Sequence, residues 1–254
     1  MTGTVSLHSA WTGTGRPLVL IMGLGAGLSA WDRHVSAWSR DFACLAVDNR
    51  GAGRSPAPDG PYTTALMADD IARLLDELAV EPVDVVGISM GGAIAQELAL
   101  RHPARLRRLV LVATWARSTP YLSDVLDTLA ASRKCFDTAE YVTALQTLIW
   151  TPEALASRRG ELLADRRGPL DVGPVAFDSQ VAACKHHDAL DRLGDIDLPV
   201  LVTAGRADRF VPLTTTAEVA ERLSRADFVE FESGHVHHYE EAARFNGLVA
   251  EWLR

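Results

Sequence analysis

An α/β fold with a mostly parallel central sheet and helices on both faces is what this sequence predicts. Three observations carry the prediction. Short apolar, β-branched runs recur along the chain, at Pro17 to Met22, Phe42 to Val47, Val83 to Ile88, Leu106 to Thr114 and Leu198 to Thr203. They are too short for helices and read as buried strands. Segments of helical periodicity separate them; Met67, Ile71, Leu74, Leu75 and Leu78 share one face of a helix over Thr63 to Leu78. Strands alternating with helices imply parallel pairing by crossover connections.

In chain order, Val5 to Trp11 alternates loosely and is expected as an edge strand, with Thr12 to Gly15 as a turn. The Pro17–Met22 strand leads into Gly23-Leu24-Gly25-Ala26-Gly27, and a helix is expected from Trp31 to about Arg40. The Phe42–Val47 strand ends in Asp48-Asn49-Arg50-Gly51-Ala52-Gly53-Arg54-Ser55. Phe228 to Phe231 is a last short strand, and a closing helix begins at about Glu241, preceded by His237 and His238. Between Trp115 and Leu190 the rhythm changes. No strand is expected there, only helices broken at Thr151-Pro152, Gly168-Pro169 and Gly173-Pro174. A stretch of that length is long for a connection. It is expected to be a helical lid over residues 115–190, inserted in a core built from 1–114 and 191–254.

Composition narrows the function. The 254 residues suffice for one α/β core, and the net charge of −8 disfavours nucleic acid as a partner. No apolar run reaches membrane-spanning length, and the N-terminal residues lack a basic stretch followed by an apolar core. Three widely spaced cysteines, Cys44, Cys135 and Cys184, point to a reducing compartment and give no metal-ligand spacing. A cytoplasmic protein acting on a small molecule without cofactor or metal is expected, with a homo-oligomer left open.

The chemistry is concentrated at Val83-Asp84-Val85-Val86-Gly87-Ile88-Ser89-Met90-Gly91-Gly92. Gly-x-Ser-x-Gly between a strand and a helix is the nucleophile-elbow pattern. Small residues at 87 and 91 admit the tight turn, and the helix N-terminus brings free N–H groups beside Ser89. A serine hydroxyl needs a base, and the base an orienting acid. Asp208 follows the strand ending at Thr203, and His235 follows the strand ending at Phe231. Both therefore sit at carboxyl ends of strands, the rim where ligands bind in such sheets. His186, His187, His237 and His238 compete with His235; Asp227, Asp195 and Asp197 compete with Asp208, but all three lie upstream of strands. The oxyanion donors are expected to be the backbone N–H groups of Met90 and Leu24. Gly23 to Gly27 lacks the spacing of a dinucleotide or phosphate loop. Asp48 and Arg50 read as loop-fixing groups, with anion binding by Arg50 and Arg54 the alternative. Trp115, Tyr121, Tyr141 and Trp150 are candidate substrate contacts from the lid; Arg117 and Arg133 could meet a carboxylate there or be solvated.

With these motifs assembled, the chain resembles the α/β-hydrolase fold superfamily over nearly its full length. The Gly-x-Ser-x-Gly-Gly elbow, the Asp-x-Arg-Gly-x-Gly-x-Ser loop, the Gly-Arg-x-Asp loop and the terminal Gly-His carry the resemblance. It looks most like the capped serine enzymes: 3-oxoadipate enol-lactonases, carboxylesterases and meta-cleavage-product C–C hydrolases. The resemblance implies a lid after the sixth core strand and a short N-terminus lacking the family's first strand. It also implies a Ser89–His235–Asp208 triad that cleaves an ester or lactone through an acyl-enzyme. A C–C bond or thioester cleaved by the same triad is the alternative, as is a ligand-binding protein with little turnover. Met22-Gly23 stands where the family commonly has His-Gly.

Overall fold

Alternate residues of each inner strand feed two different cores. Val19 and Ile21 face one core while Leu18 and Leu20 face the other; Leu109 and Leu111 are opposed in the same way to Val110 and Val112. A strand buried on both sides has no polar face, which is why these runs read as continuously apolar. The computed structural model describes residues 3–80, 82–166 and 170–254.

The sheet has seven strands: β1 (Ser9–Thr12), β2 (Arg16–Ile21), β3 (Phe42–Val47), β4 (Val83–Ile88), β5 (Leu106–Val112), β6 (Val200–Gly205) and β7 (Ala226–Phe231). Their order is β1-β3-β2-β4-β5-β6-β7; β1 runs antiparallel to β3 and the rest are parallel. The N-terminal strand is shorter than the Val5–Trp11 expected. The Val5 N–H donates to the Asp70 carboxylate and the His8 N–H to the Ser55 hydroxyl, so both are satisfied by side chains and not by a ladder.

Helices cover both faces. On one side lie α1 (Asp32–Trp38) and, from the chain's end, α11 (Ala242–Leu253), packed through Trp31, Trp38, Phe245, Val249 and Leu253. On the other lie α2 (Thr64–Leu78), α3 (Met90–Arg101) and α9 (Leu213–Arg222). The Thr63 hydroxyl caps α2 by accepting from Leu66 N–H, and Ala79 ends it in a left-handed conformation. Between β5 and β6 come α4 (Pro120–Cys135), α5 (Thr138–Ile149), α6 (Pro152–Ser157), α7 (Arg159–Asp165) and α8 (Pro174–Lys185). The short α10 (His237–Glu240) precedes α11. Prolines open α6 and α8 where the sequence placed breaks; the break at Gly168-Pro169 lies outside the described residues.

The helical segment follows the fifth strand of this chain, not a sixth. That agrees with the five strands expected before residue 115, the sixth position being counted with the family's first strand, which this chain was expected to lack. Among the described residues, 115–190 contributes no strand to the sheet, only the bridges Ala52 to Val172 and Arg117 to Asp188.

Candidate active site

Ser89 occupies a backbone conformation that few residues adopt, with φ +55° and ψ −118°, between the last residue of β4 and the first of α3. Such a conformation persists only where the surroundings hold it. A Cβ at residue 91 would lie 2.1 Å from the Ile21 carbonyl oxygen, and one at 87 would lie 2.4 Å from that of Gly91. Gly92 is pressed against Thr114, whose hydroxyl donates to the Ser89 carbonyl at 2.8 Å. The Ser89 N–H donates to the Val112 carbonyl at 2.8 Å. The turn is thus tied to β5 on one side and jammed against β2 on the other.

Two further strand ends converge on it. Ser89 Oγ lies 3.1 Å from His235 Nε2, and His235 Nδ1 lies 2.8 Å from Asp208 Oδ2. All three side chains are buried. The second oxygen of Asp208, Oδ1, accepts the N–H groups of Phe210 and Val211 at 2.8 and 2.9 Å. With Oδ1 taken by backbone donors, Oδ2 is left to receive the imidazole proton, which places it on Nδ1 and leaves the Nε2 lone pair toward the serine. The Phe210 ring covers His235 at a centroid distance of 4.8 Å and an interplanar angle of 33°. The loops after β6 and β7 meet at Gly205, where a Cβ would lie 2.2 Å from the Gly234 carbonyl oxygen.

The loop after β2 approaches from the other side. Ser89 Cβ would be 3.2 Å from a Cβ on Gly23. Asn49 Nδ2 donates to the Met22 carbonyl at 2.8 Å. Gly25, at φ +78°, donates to Gln180 Oε1 at 3.1 Å, and Gly27 to Asp171 Oδ2 at 2.8 Å. Core and helical segment therefore grip this loop together. Leu24 lies in it beside the cavity, and Met90 is the first residue of α3, where helix N–H groups have no intrahelical acceptor.

Ser89 and His235 open into a cavity of about 190 Å³. Its walls are Met22, Leu24 and Ile88 from the core, Leu129 of α4, and Tyr141, Leu145 and Ile149 of α5; its lining holds no Asp, Glu, Lys or Arg. Of the four aromatics expected from the helical segment, Tyr141 lines this cavity and three do not. Trp115 is sealed in the core, where its carbonyl accepts from Gln96. Tyr121 is 48% exposed and its hydroxyl donates to the Arg209 carbonyl. Trp150 stacks on Tyr239, with the Arg158 guanidinium 4.7 Å from its ring, lining a neighbouring depression. The sequence does not single out Leu129, Leu145 and Ile149, the aliphatic residues of α4 and α5 that form the wall. Their signal, an apolar residue at every third or fourth position, is shared by every helix that packs on anything.

The competing residues have other partners. Thr64 Oγ1 and Gln96 Oε1 flank His187, at 2.9 and 3.2 Å, and burial lowers its pKa to about 3. His237 meets Thr203 Oγ1 at 3.0 Å, stacks on Phe231 and is likewise lowered to about 3 by burial. His186 Nδ1 lies against the Ala182 carbonyl. Asp227 falls inside β7, not before it, and accepts from Trp252 Nε1. Asp195 closes a short 3-10 turn and Asp197 pairs with Arg225. Arg50 is wholly buried and forked onto Asp70 at 2.6 and 2.7 Å; Asp48 accepts from Leu28 N–H, Arg54 N–H and His8. Both fix the loop, as expected. Arg117 pairs with Asp188 and Asp191, and Arg133 donates to the Val172 carbonyl over the Tyr141 ring; neither lines the cavity.

A parallel sheet with a strained serine at its switch from strand to helix defines a class of protein, the α/β hydrolases. Residues 16–242 match the model of the alpha/beta hydrolase fold, and the chain belongs to that family. RutD of Caulobacter sp. (strain K31), whose name proposes carbamate hydrolysis, is 31% identical over 97% of this chain and 94% of its own. The 2-hydroxymuconate semialdehyde hydrolase of Pseudomonas sp. (strain CF600) is 31% identical over 98% of this chain and 89% of its own. Among solved structures, the enol-lactonase of Burkholderia xenovorans LB400 is 28% identical, with a TM-score of 0.90 over 97% of this chain and 96% of that one.

Proposed function

We propose that this hydrolase cleaves a carboxylic ester or lactone of a small apolar or aromatic substrate through an acyl-enzyme on Ser89. The observation that carries the reading is the hydrogen-bonded series Asp208–His235–Ser89 opening into an apolar cavity. Ser89 Oγ attacks the carbonyl carbon as His235 Nε2 takes its proton. Asp208 holds the imidazole and stabilises its cation. The tetrahedral oxyanion is held by the N–H groups of Leu24 and Met90. His235 then protonates the departing alkoxide, and water attacks the acyl-enzyme by the same route.

The helices of 115–190 act as a lid over the core formed by 1–114 and 191–254, because α4 and α5 supply one wall of the cavity. An uncharged lining favours an uncharged acyl group, since a buried carboxylate without a cation would be costly. The same acyl-enzyme chemistry would serve a carbamate or a C–C bond, and the likeness to RutD and to the semialdehyde hydrolase favours testing both. The free cysteines fit a reducing, cytoplasmic setting.

A fluorophosphonate probe should label Ser89, with labelling abolished in Ser89→Ala and in heat-unfolded protein. Turnover of p-nitrophenyl esters should fall in Ser89→Ala by about 10⁴ to 10⁶. A panel of esters, lactones, aryl carbamates and vinylogous diketones assigns the bond. A folded wild type that neither labels nor turns over any of them would leave a binding protein and end the hydrolytic reading.

A further inference from the structure

We propose that His238 is a specificity-determining residue: its neutral imidazole donates a hydrogen bond, from Nε2, to a polar oxygen of the substrate near the scissile carbonyl. The proposal rests on the serine-hydrolase reading and extends it to substrate class. The preferred substrate is not a plain alkyl or aryl ester. It carries an acceptor, such as an oxo, hydroxyl or ether oxygen, a few bonds from the carbonyl attacked by Ser89.

His238 lines the same cavity as Ser89 and His235, and only 2% of it is exposed. It stands on α10, directly after the turn that carries His235, and both residues line the cavity. Neither ring nitrogen of His238 has a hydrogen-bond partner among the described residues. Nδ1 is sealed from solvent, and the ring packs among those of His34, His237, Tyr239 and Phe245. Nε2 is the nitrogen not sealed in this way, and the cavity is the space this ring adjoins.

The charge state follows from the surroundings. The rings packed on it are those of His34 from α1, His237 and Tyr239 from α10 and Phe245 from α11, with His235 of the β7 loop also near; burial raises the Tyr239 phenol, so it brings no charge. A cation there would be desolvated and would face three potential like charges, so His238 is neutral. Of the two tautomers, the one with its proton on Nε2 avoids burying an unpaired N–H at Nδ1, the rarer kind of orphan. In this proposal the Nε2 donor faces the cavity that the ring lines, whose other walls are largely hydrocarbon. A polar group so placed is costly unless the ligand satisfies it, and a site built this way rejects analogues that lack the matching atom.

The test uses full-length enzyme and two matched pairs differing by one oxygen: p-nitrophenyl pentanoate against 4-oxopentanoate, and butyl acetate against 2-methoxyethyl acetate. In the wild type, kcat/KM should favour the oxygen-bearing member of at least one pair by about tenfold. His238→Leu should erase that preference, lowering kcat/KM for the oxygen-bearing ester by about tenfold more than for its plain partner. His238→Gln, whose amide can donate from a similar position, should restore part of it. Absence of preference in both wild-type pairs overturns the proposal whether or not the variants fold. So does a preference that survives in His238→Leu, or an equal loss on both members of a pair. Labelling of Ser89 with plain-ester turnover but no oxygen preference would defeat this inference alone; absence of both would defeat the hydrolase reading beneath it.

Discussion

At the scale of single residues, the arrangement around Asp208 has a sharp consequence. Its Oδ1 accepts two backbone N–H groups, and its Oδ2 faces His235 Nδ1. In Asp208→Asn the amide oxygen would keep the two backbone donors, and the amide nitrogen would turn toward His235. Two donors cannot face each other, so the imidazole proton would move to Nε2 and remove the base from Ser89. A fall in kcat of about 10⁴ with little change in melting temperature is expected; an equal fall in stability and activity would mean that Asp208 merely supports the loop. The three residues of this hydrogen-bonded series were legible in the sequence because each is tied to a local pattern: a glycine-flanked elbow, or a loop directly after an apolar strand. The wall of the cavity was not. Trp115 and Trp150 look like ligand contacts by composition, yet one is core and the other faces a neighbouring depression.

At the scale of elements, the elbow is held by close backbone approach, so its glycines are steric necessities. Gly91→Ala would press a methyl group onto the carbonyl oxygen of Ile21, which the backbone of β2 cannot move aside. A loss of about 1–3 kcal/mol in denaturant unfolding is expected, with activity falling as Ser89 shifts; unchanged unfolding would contradict the packing described. The loop carrying Asp48 and Arg50 makes a second case. Arg50 and Asp70 form a buried, doubly hydrogen-bonded pair linking that loop to α2. Asp70→Asn would leave the guanidinium buried against a neutral amide, at an expected cost of about 3–5 kcal/mol. Urea titration checks this, and a double variant Arg50→Met/Asp70→Leu should recover much of the loss. The sequence marked this loop as structural but could not name Asp70, which lies twenty residues away on a helix where an aspartate usually faces water.

Across the whole molecule, four histidines are packed as neutral rings: His34, His187, His237 and His238. Burial lowers His34 to about 4 and His187 and His237 to about 3, and takes His238 well below the ordinary value of 6.5. The unfolded chain protonates these groups below about pH 6.5, while the folded chain does not. Unfolding therefore takes up protons between pH 6.5 and about 4, and stability falls as pH drops through that window. Each ring contributes on the order of 2 kcal/mol of loss between pH 7 and 5. A steep drop in melting temperature over that range is expected, with unfolding coupled to uptake of several protons. A flat profile from pH 7 to 5 would show that these rings are already charged or hydrated in the native state. The paired carboxylates Asp69, Asp188 and Glu241 are held low, so their titration falls at more acid pH and does not mimic this effect.

What the chain determined by itself was everything enforced by short-range sterics and periodicity. Buried strands announce themselves as β-branched runs, tight turns as glycine, and the order Ser89, Asp208, His235 follows from which strands those turns terminate. What tertiary structure alone decided was which side chains share a space. Whether Leu145 or Trp150 touches a ligand depends on how α5 is rotated against a loop more than a hundred residues away, and helical periodicity gives a face without saying what it faces. The orphaned nitrogens of His238 belong to this second kind. A histidine pair in a sequence looks like a helix start; only the packing of α1, α10 and α11 around it buries the ring of His238 beside the cavity that Ser89 lines.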